Sequence, residues 1–136
     1  MIQLSEHFRL EDFIYSRVAI EKGLANDPPP EGVKALRALC VNVLEPLRVC
    51  CGNRPMQVMS GYRSPELNRL VGGVPRSQHQ KGEAADIYMP EIDRLVEVLR
   101  SPEAPLFDQA IFYSHRNFVH LSFKAYGKNR RQFLCV

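Results

Sequence analysis

The alternation of apolar and polar positions predicts two amphipathic helices. One follows Pro28-Pro29-Pro30, where the apolar positions keep helical spacing: Val33, Leu36, Cys40, Val43, Leu44 and Leu47. Pro46 should kink this helix or end it nearby, because proline lacks the backbone N–H that an inner turn needs. The other runs from about Glu91 to Arg100, where Ile92, Leu95, Val96 and Leu99 follow the i, i+3, i+4, i+7 pattern.

Short runs between turn residues predict strands. Ser64-Pro65 should cap and begin a short helix that reaches Leu70. The predicted strands are Met56 to Ser60, Ala84 to Tyr88, an Asp108 to Ser114 and Phe118 to Phe123 hairpin, and an edge strand from Gln132 to Cys135. These elements predict an α+β fold, in which helices pack on one face of a small, mostly antiparallel sheet and a cleft lies on the other.

The length of 136 residues predicts a single domain, 1–136, of which residues 1–30 form an N-terminal arm. No apolar run approaches the roughly 20 residues of a membrane span. No secretory signal is visible, so we expect a protein that is cytoplasmic as synthesised. The net charge is +3, and the short Lys128-Asn129-Arg130-Arg131 cluster lacks interleaved aromatic residues. It is more typical of a solvated face than of a nucleic-acid site, and we expect no nucleic-acid partner.

The four cysteines do not form a metal or disulfide pattern. Cys40, Cys50, Cys51 and Cys135 contain no CxxC pair, and neighbouring cysteines are poorly placed to bond each other. We interpret them as reduced thiols. A cysteine nucleophile is disfavoured, because no cysteine lies next to a histidine-bearing segment.

Candidate chemistry is concentrated in the segment Ser77 to Asp86 and in the later strand Phe118 to Phe123. His120 should point away from the core, since Val119 and Leu121 occupy the opposite face of its strand. His79, Asp86 and His120 then offer two nitrogens and one oxygen, which is typical of a catalytic zinc site with an open fourth position. The alternative is that the three are unrelated polar groups at the surface or at strand ends.

Six ordered motifs resemble the D-alanyl-D-alanine carboxypeptidase family of zinc peptidases, in its compact carboxypeptidase and L-alanyl-D-glutamate endolysin forms. The motifs are Leu4-Ser5-Glu6-His7-Phe8, Leu44-Glu45-Pro46-Leu47-Arg48, Ser60-Gly61-Tyr62-Arg63-Ser64, Ser77 to Asp86, Phe107-Asp108-Gln109 and Phe118 to Phe123. Six blocks in the right order are a far more specific signal than one short motif. The resemblance implies hydrolysis of peptide bonds in peptidoglycan stem peptides, and action at the cell wall after release of the phage type.

The resemblance also implies roles for single residues. His79, Asp86 and His120 match the family's zinc ligands, which implies one Zn²⁺ per chain, and Arg63 matches its substrate-facing arginine. Ser77 and Tyr62 are expected to border the same substrate site. A half-buried position in the core suits Tyr62 equally well.

One position departs from the family pattern. Active members place Glu or Asp three residues before the final histidine as a general base, and here that residue is Asn117, whose amide is no comparable base. Glu83, Asp108 and His115 are the other candidates, although Asp108 is more typical of a structural residue, because it begins a strand after the turn residues Pro105-Leu106-Phe107. Three functions therefore stay open: an active zinc peptidase, a weak or inactive zinc-binding relative that binds wall peptide or a protein partner, and an interaction module without metal.

Overall fold

The protein is described here by a computed structural model that covers residues 2–136. The α-helices are α1 Leu10–Ile14, α2 Arg17–Lys22, α3 Pro30–Leu39, α4 Glu45–Cys50, α5 Pro65–Leu70 and α6 Ile92–Leu99, with a π-helical segment Cys40–Leu44 and a 3₁₀ helix Gln78–Lys81. The strands are β1 Gln57–Ser60, β2 Ala84–Tyr88, β3 Gln109–Tyr113, β4 Phe118–Ser122 and β5 Gln132–Cys135.

The five strands form one sheet in the order β1-β2-β4-β3-β5. All neighbours pair antiparallel except β3 and β5, which are parallel. The predicted α+β class with a mostly antiparallel sheet is therefore confirmed, and the β3–β4 hairpin and the β5 edge strand lie where the sequence pattern indicates.

The two faces of the sheet have different partners. Ala85 and Ile87 of β2 and Val119 and Leu121 of β4 are fully buried in the hydrophobic core. Side chains from the long helical region 30–50 and from α6 belong to the same core. Because strand side chains alternate, the residues between these apolar positions point to the opposite face. That face carries the cleft described below.

The helical segment that follows the three prolines does not end at Pro46. Helical residues continue to Cys50, and the segment Cys40–Leu44 takes up the irregularity as a π-helix. The backbone N–H of Glu45 donates to the carbonyl of Cys40, an i→i−5 bond, just before the proline that cannot donate. Such single-turn π-segments allow a helix to continue past a defect in its hydrogen bonding.

The N-terminal arm packs into the core. Leu4, Phe8 and Phe13 are almost fully buried. Glu45 fastens this arm to α4, because its carboxylate accepts hydrogen bonds from the Ser5 hydroxyl at 2.6 Å and from the His7 backbone N–H at 2.7 Å. Within residues 2–136, no helix has the length and apolar character needed to cross a bilayer.

Candidate metal centre

His79 is positioned by a short, tightly bounded turn. Ser77 caps the 3₁₀ helix, and its hydroxyl accepts a hydrogen bond from the His79 N–H at 3.2 Å. Gly82 ends the helix with φ of +74°, and a Cβ there would lie 2.4 Å from the Gly32 carbonyl oxygen. Only glycine meets both conditions, so this turn is fixed against the start of α3.

Asp86 and His120 are brought together by the sheet. They are direct partners in the antiparallel pairing of β2 with β4. Their neighbours on both strands face the core, and so both side chains point into the cleft. Two strands far apart in sequence thus supply two of the three polar groups.

The donor atoms of His79, Asp86 and His120 converge. One candidate ligand atom from each lies within 4.8 Å of the others. Asp86 Oδ1 is 3.2 Å from His79 Nε2 and 3.0 Å from His120 Nδ1. Two imidazole nitrogens and one carboxylate oxygen around an open cleft fit the donor set of a catalytic zinc ion. Their role as ligands stays a prediction.

The other nitrogen of His79 fixes the imidazole tautomer. Its Nδ1 lies 2.7 Å from the Gly61 carbonyl oxygen, which can only accept a hydrogen bond. Nδ1 therefore holds a proton, and Nε2 is the nitrogen that can bind a metal ion once it gives up its hydrogen bond to Asp86, which is the arrangement common in metal-binding histidines. Gly61 lies against Phe13, and a Cβ on it would be 2.5 Å from the Phe13 carbonyl oxygen.

The centre stabilises the ionised form of Asp86. Burial raises the pKa of this carboxyl, but hydrogen bonds from His120 and then from His79 outweigh that effect and hold the pKa well below its usual range. A bound cation would favour the same carboxylate form.

Arg63 lies beside this group and is held by two neutral acceptors. Its Nε donates to the Ser60 hydroxyl and one terminal nitrogen donates to Asn68 Oδ1, each at 3.2 Å. The other terminal nitrogen lies 3.7 Å from Asp86 Oδ2. Burial lowers the pKa of Arg63, while Asp86 opposes that shift. Asn68 could not be predicted as a partner of Arg63, because nothing in its local sequence distinguishes it from a solvent-facing asparagine on a short helix.

The three residues lie in a cleft of about 780 Å³. One wall is the loop from Val71 to Gln78, and the other is the sheet face formed by β3 and β4. Ser77 lines this cleft as well as capping the turn. Tyr62 does not line it: the residue is only 5% exposed and belongs to the hydrophobic core, which favours its core role over a contact with substrate.

The candidate bases occupy different environments. Of the four, Glu83 alone lines the cleft. Asp108 is fully buried and bound by Arg130. His115 and Asn117 lie exposed in the β3–β4 turn, where Asn117 has φ of +58°. Position 117, where the resemblance implies a carboxylate, therefore offers no carboxylate and does not line this cleft.

A comparison with protein families decides the relationship. The family model described as Peptidase M15 matches residues 6–122, which include all three candidate ligands, Arg63 and Glu83. The chain belongs to the peptidase M15 family. M15 peptidases are zinc-dependent hydrolases of the D-Ala-D-Ala carboxypeptidase type, so the resemblance inferred from the motifs is confirmed. A search among curated proteins gives no match to this M15 chain.

Proposed function

We propose that this protein is a zinc-dependent peptidase that hydrolyses peptide bonds in peptidoglycan stem peptides. The observation that carries the proposal is the convergence of His79, Asp86 and His120 in an open cleft. Membership of the M15 family supports hydrolysis of an amide bond by activated water. The chain would hold one zinc ion through His79 Nε2, His120 Nδ1 and a carboxylate oxygen of Asp86.

Zinc, when bound, supplies Lewis acidity that lowers the pKa of water from 15.7 to about 7 and polarises a carbonyl group. Asp86 contributes the negative charge of the ligand set, and the Gly61 carbonyl keeps His79 in the tautomer that can bind metal. Arg63 presents the planar donor fork that suits a substrate carboxylate or a developing oxyanion. Its contacts with Ser60 and Asn68 hold that fork in place before substrate arrives.

Glu83 accepts the proton of the attacking water in this proposal. It is the only one of the four candidate bases that borders the cleft. Its Oε1 lies 3.3 Å from the side-chain amide of Gln78, which also donates to Asp108 at 3.2 Å. This amide limits the positions open to the Glu83 carboxylate, as efficient proton transfer requires.

A second candidate function is that of a zinc-binding relative with weak or no turnover, which binds wall peptide or a protein partner. The exposed, left-handed turn position of Asn117 favours it, because the family's usual base is missing there. In this case the cleft would bind peptide without cleaving it.

Digestion of purified peptidoglycan by the zinc-loaded protein distinguishes the two functions. An active peptidase releases new amino and carboxyl termini that mass spectrometry identifies, and this product also gives the scissile bond. Glu83→Gln should then lower kcat by about 10²–10⁴-fold with zinc content unchanged. Asn117→Asp is the matched control, and its carboxylate should add little because position 117 faces solvent. A gain on Asn117→Asp, together with an unaffected Glu83→Gln, would overturn the role of Glu83.

A further inference from the structure

The cleft carries a strong excess of positive charge. Six basic residues line it against two acidic ones, Glu83 and Asp86. The basic residues come from separate segments of the chain: Arg63, Arg76, Lys81, Arg116, Lys124 and Arg130. The whole chain has a net charge of only +3, so its positive charge is concentrated at this site. Such a cleft attracts anionic ligands.

Several of these cations already have acidic partners. Arg63 lies near Asp86, while Arg130 and Lys124 face Asp108 at 2.9 and 4.0 Å. By contrast, no ion pair within residues 2–136 involves Arg76, Lys81 or Arg116. These three cations are available to a ligand.

Arg116 differs from the other two because it is held in a defined place. Its guanidinium lies over the Phe118 ring, 5.3 Å from the ring centroid. Phe118 is in turn stacked on Tyr113, with centroids 4.8 Å apart and an interplanar angle of 22°. Both aromatic residues line the cleft. A cation–π contact with the ring leaves the guanidinium N–H groups free for a planar acceptor such as a carboxylate.

Strand geometry gives the spacing along β4 between Phe118 and the candidate metal ligand His120. Phe118 and His120 are two residues apart on the same face of β4, which corresponds to roughly 7 Å. An extended peptide also advances roughly 7 Å in two residues. Because Arg116 lies in the turn before Phe118, a carboxylate bound by it would lie at least two residues of extended peptide away from the bond at the metal centre.

We propose that Arg116, held over the Phe118 ring at the hairpin end of the cleft, binds a second carboxylate of the peptide substrate and so selects for doubly anionic peptides. This inference rests on the proposed peptidase function, and it assigns a substrate-selecting role to a residue of the β3–β4 turn. In this assignment Arg63 binds substrate at the centre of the cleft, and Arg116 binds it at the hairpin end. The bidentate contact should contribute about tenfold in affinity.

The test uses synthetic stem peptides in which each free carboxylate is amidated in turn. For wild-type protein, amidation of one particular carboxylate should raise KM about tenfold with kcat unchanged, as expected when a uniform binding contact is lost. In Arg116→Gln the ratio of KM for the amidated peptide to KM for the free peptide should fall to about one. Arg116→Lys should give an intermediate ratio, since lysine keeps the charge without the fork. Raising the ionic strength should shrink the wild-type ratio.

Arg100→Gln is the matched control, because Arg100 also stacks on an aromatic ring, that of Phe133, yet does not line the cleft. It should keep the full wild-type ratio. The same peptides with a fluorescent label give Kd by anisotropy on protein with one equivalent of zinc, so the ratio is measurable even if no bond is cleaved. Selective binding without turnover would contradict the peptidase function and keep the Arg116 site. A wild type indifferent to every amidation, or an undiminished ratio in Arg116→Gln, would overturn the Arg116 site.

Discussion

Two buried aspartates of the same sheet illustrate how different donors lead to different roles. Asp86 lies in β2 and Asp108 immediately precedes β3, and both have a lowered pKa. The close partners of Asp86 Oδ1 are two imidazoles, whose ring nitrogens can bind a metal ion in place of a proton. Asp108 is bound instead by the guanidinium and backbone N–H of Arg130, which stay protonated. A metal ion can replace the protons around Asp86, but it cannot replace the donors around Asp108.

The two aspartates also differ in how much hydrogen-bond acceptor capacity remains free to bind a ligand. Asp108 Oδ1 accepts two hydrogen bonds from Arg130, and Oδ2 accepts one from Arg130 and one from Gln78. Its acceptor capacity is fully used, which is typical of a structural anchor. Asp86 Oδ2 has only the longer approach of Arg63, at 3.7 Å, and it borders the cleft. Unused acceptor capacity at a cleft is what a binding site requires.

The largest expected effect that would distinguish the Asp86 site from the Asp108 site is loss of zinc. We expect His120→Ala to lose most of its zinc, because the centre falls from three protein ligands to two. The fold should remain, since His120 lies on the cleft face and not in the core. Elemental analysis of dialysed protein, with circular dichroism as the check on folding, gives the result. A folded His120→Ala protein that keeps a full equivalent of zinc would show that the ligand assignment is wrong.

Asp108→Asn should have the opposite profile. We expect a loss of about 2 kcal/mol in the free energy of unfolding, because the charge-assisted hydrogen bonds of Arg130 lose their anionic acceptor. Zinc content of the folded protein should not change, since Asp108 is not one of the three converging groups. Urea unfolding followed by circular dichroism measures the first quantity, and elemental analysis the second. Loss of zinc with stability intact would reverse the roles assigned to the two aspartates.

The pH dependence of the free energy of unfolding in acid gives a finer measure of what Asp108 contributes. Burial raises the pKa of Asp108, but the hydrogen bonds of Arg130 outweigh it and lower the pKa to about 2, from an ordinary value of 3.8. A depressed folded-state pKa contributes stability that is complete above pH 4 and is lost as the pH falls towards 2. The difference in unfolding free energy between wild type and Asp108→Asn should therefore shrink across this window. A difference that stays constant between pH 5 and 2 would contradict the assigned pKa.

The sequence predicted the elements better than it predicted the surroundings of each polar side chain. Hydrophobic periodicity located the helix after the three prolines and the β3–β4 hairpin, because burial of one face depends on local spacing. The convergence of His79, Asp86 and His120 followed from strand alternation together with the family resemblance. The continuation of the helix past Pro46 was not predicted, since a π-segment depends on tertiary packing that a local rule for proline cannot include.

Tyr62 and Asp108 show why the remaining details were out of reach. Both residues belong to motifs shared with the family, and the sequence left two roles open for each: a site residue or a core residue for Tyr62, and a candidate base or, more in keeping with its position, a structural residue for Asp108. In the structure Tyr62 turns into the core, and Asp108 is saturated by Arg130, a residue 22 positions later in the chain. Pairings over such a distance have no local signal. The same holds for Gln78, whose side chain links Asp108 to Glu83.

Gln78 allows the smallest and most specific test of how the two sites are connected. Its amide donates to Asp108 and to Glu83, and its backbone leads directly into His79. We expect Gln78→Ala to lower kcat by a few-fold up to about tenfold, because Glu83 loses a neighbour that orients it. This effect is smaller than the factor of about 10²–10⁴ that a general base contributes in total. Zinc content should stay the same, and the free energy of unfolding should fall by only about 1 kcal/mol, the typical value of one hydrogen bond. Gln80→Ala is the matched control from the same 3₁₀ helix, since its amide donates only to the Pro75 carbonyl at the exposed side of the turn. Equal kcat values in the two variants would show that the Asp108 site does not support Glu83 through Gln78. A lower kcat in Gln78→Ala alone, with zinc and stability near those of Gln80→Ala, would establish Gln78 as a positioning residue between the structural Asp108 and the proposed base Glu83.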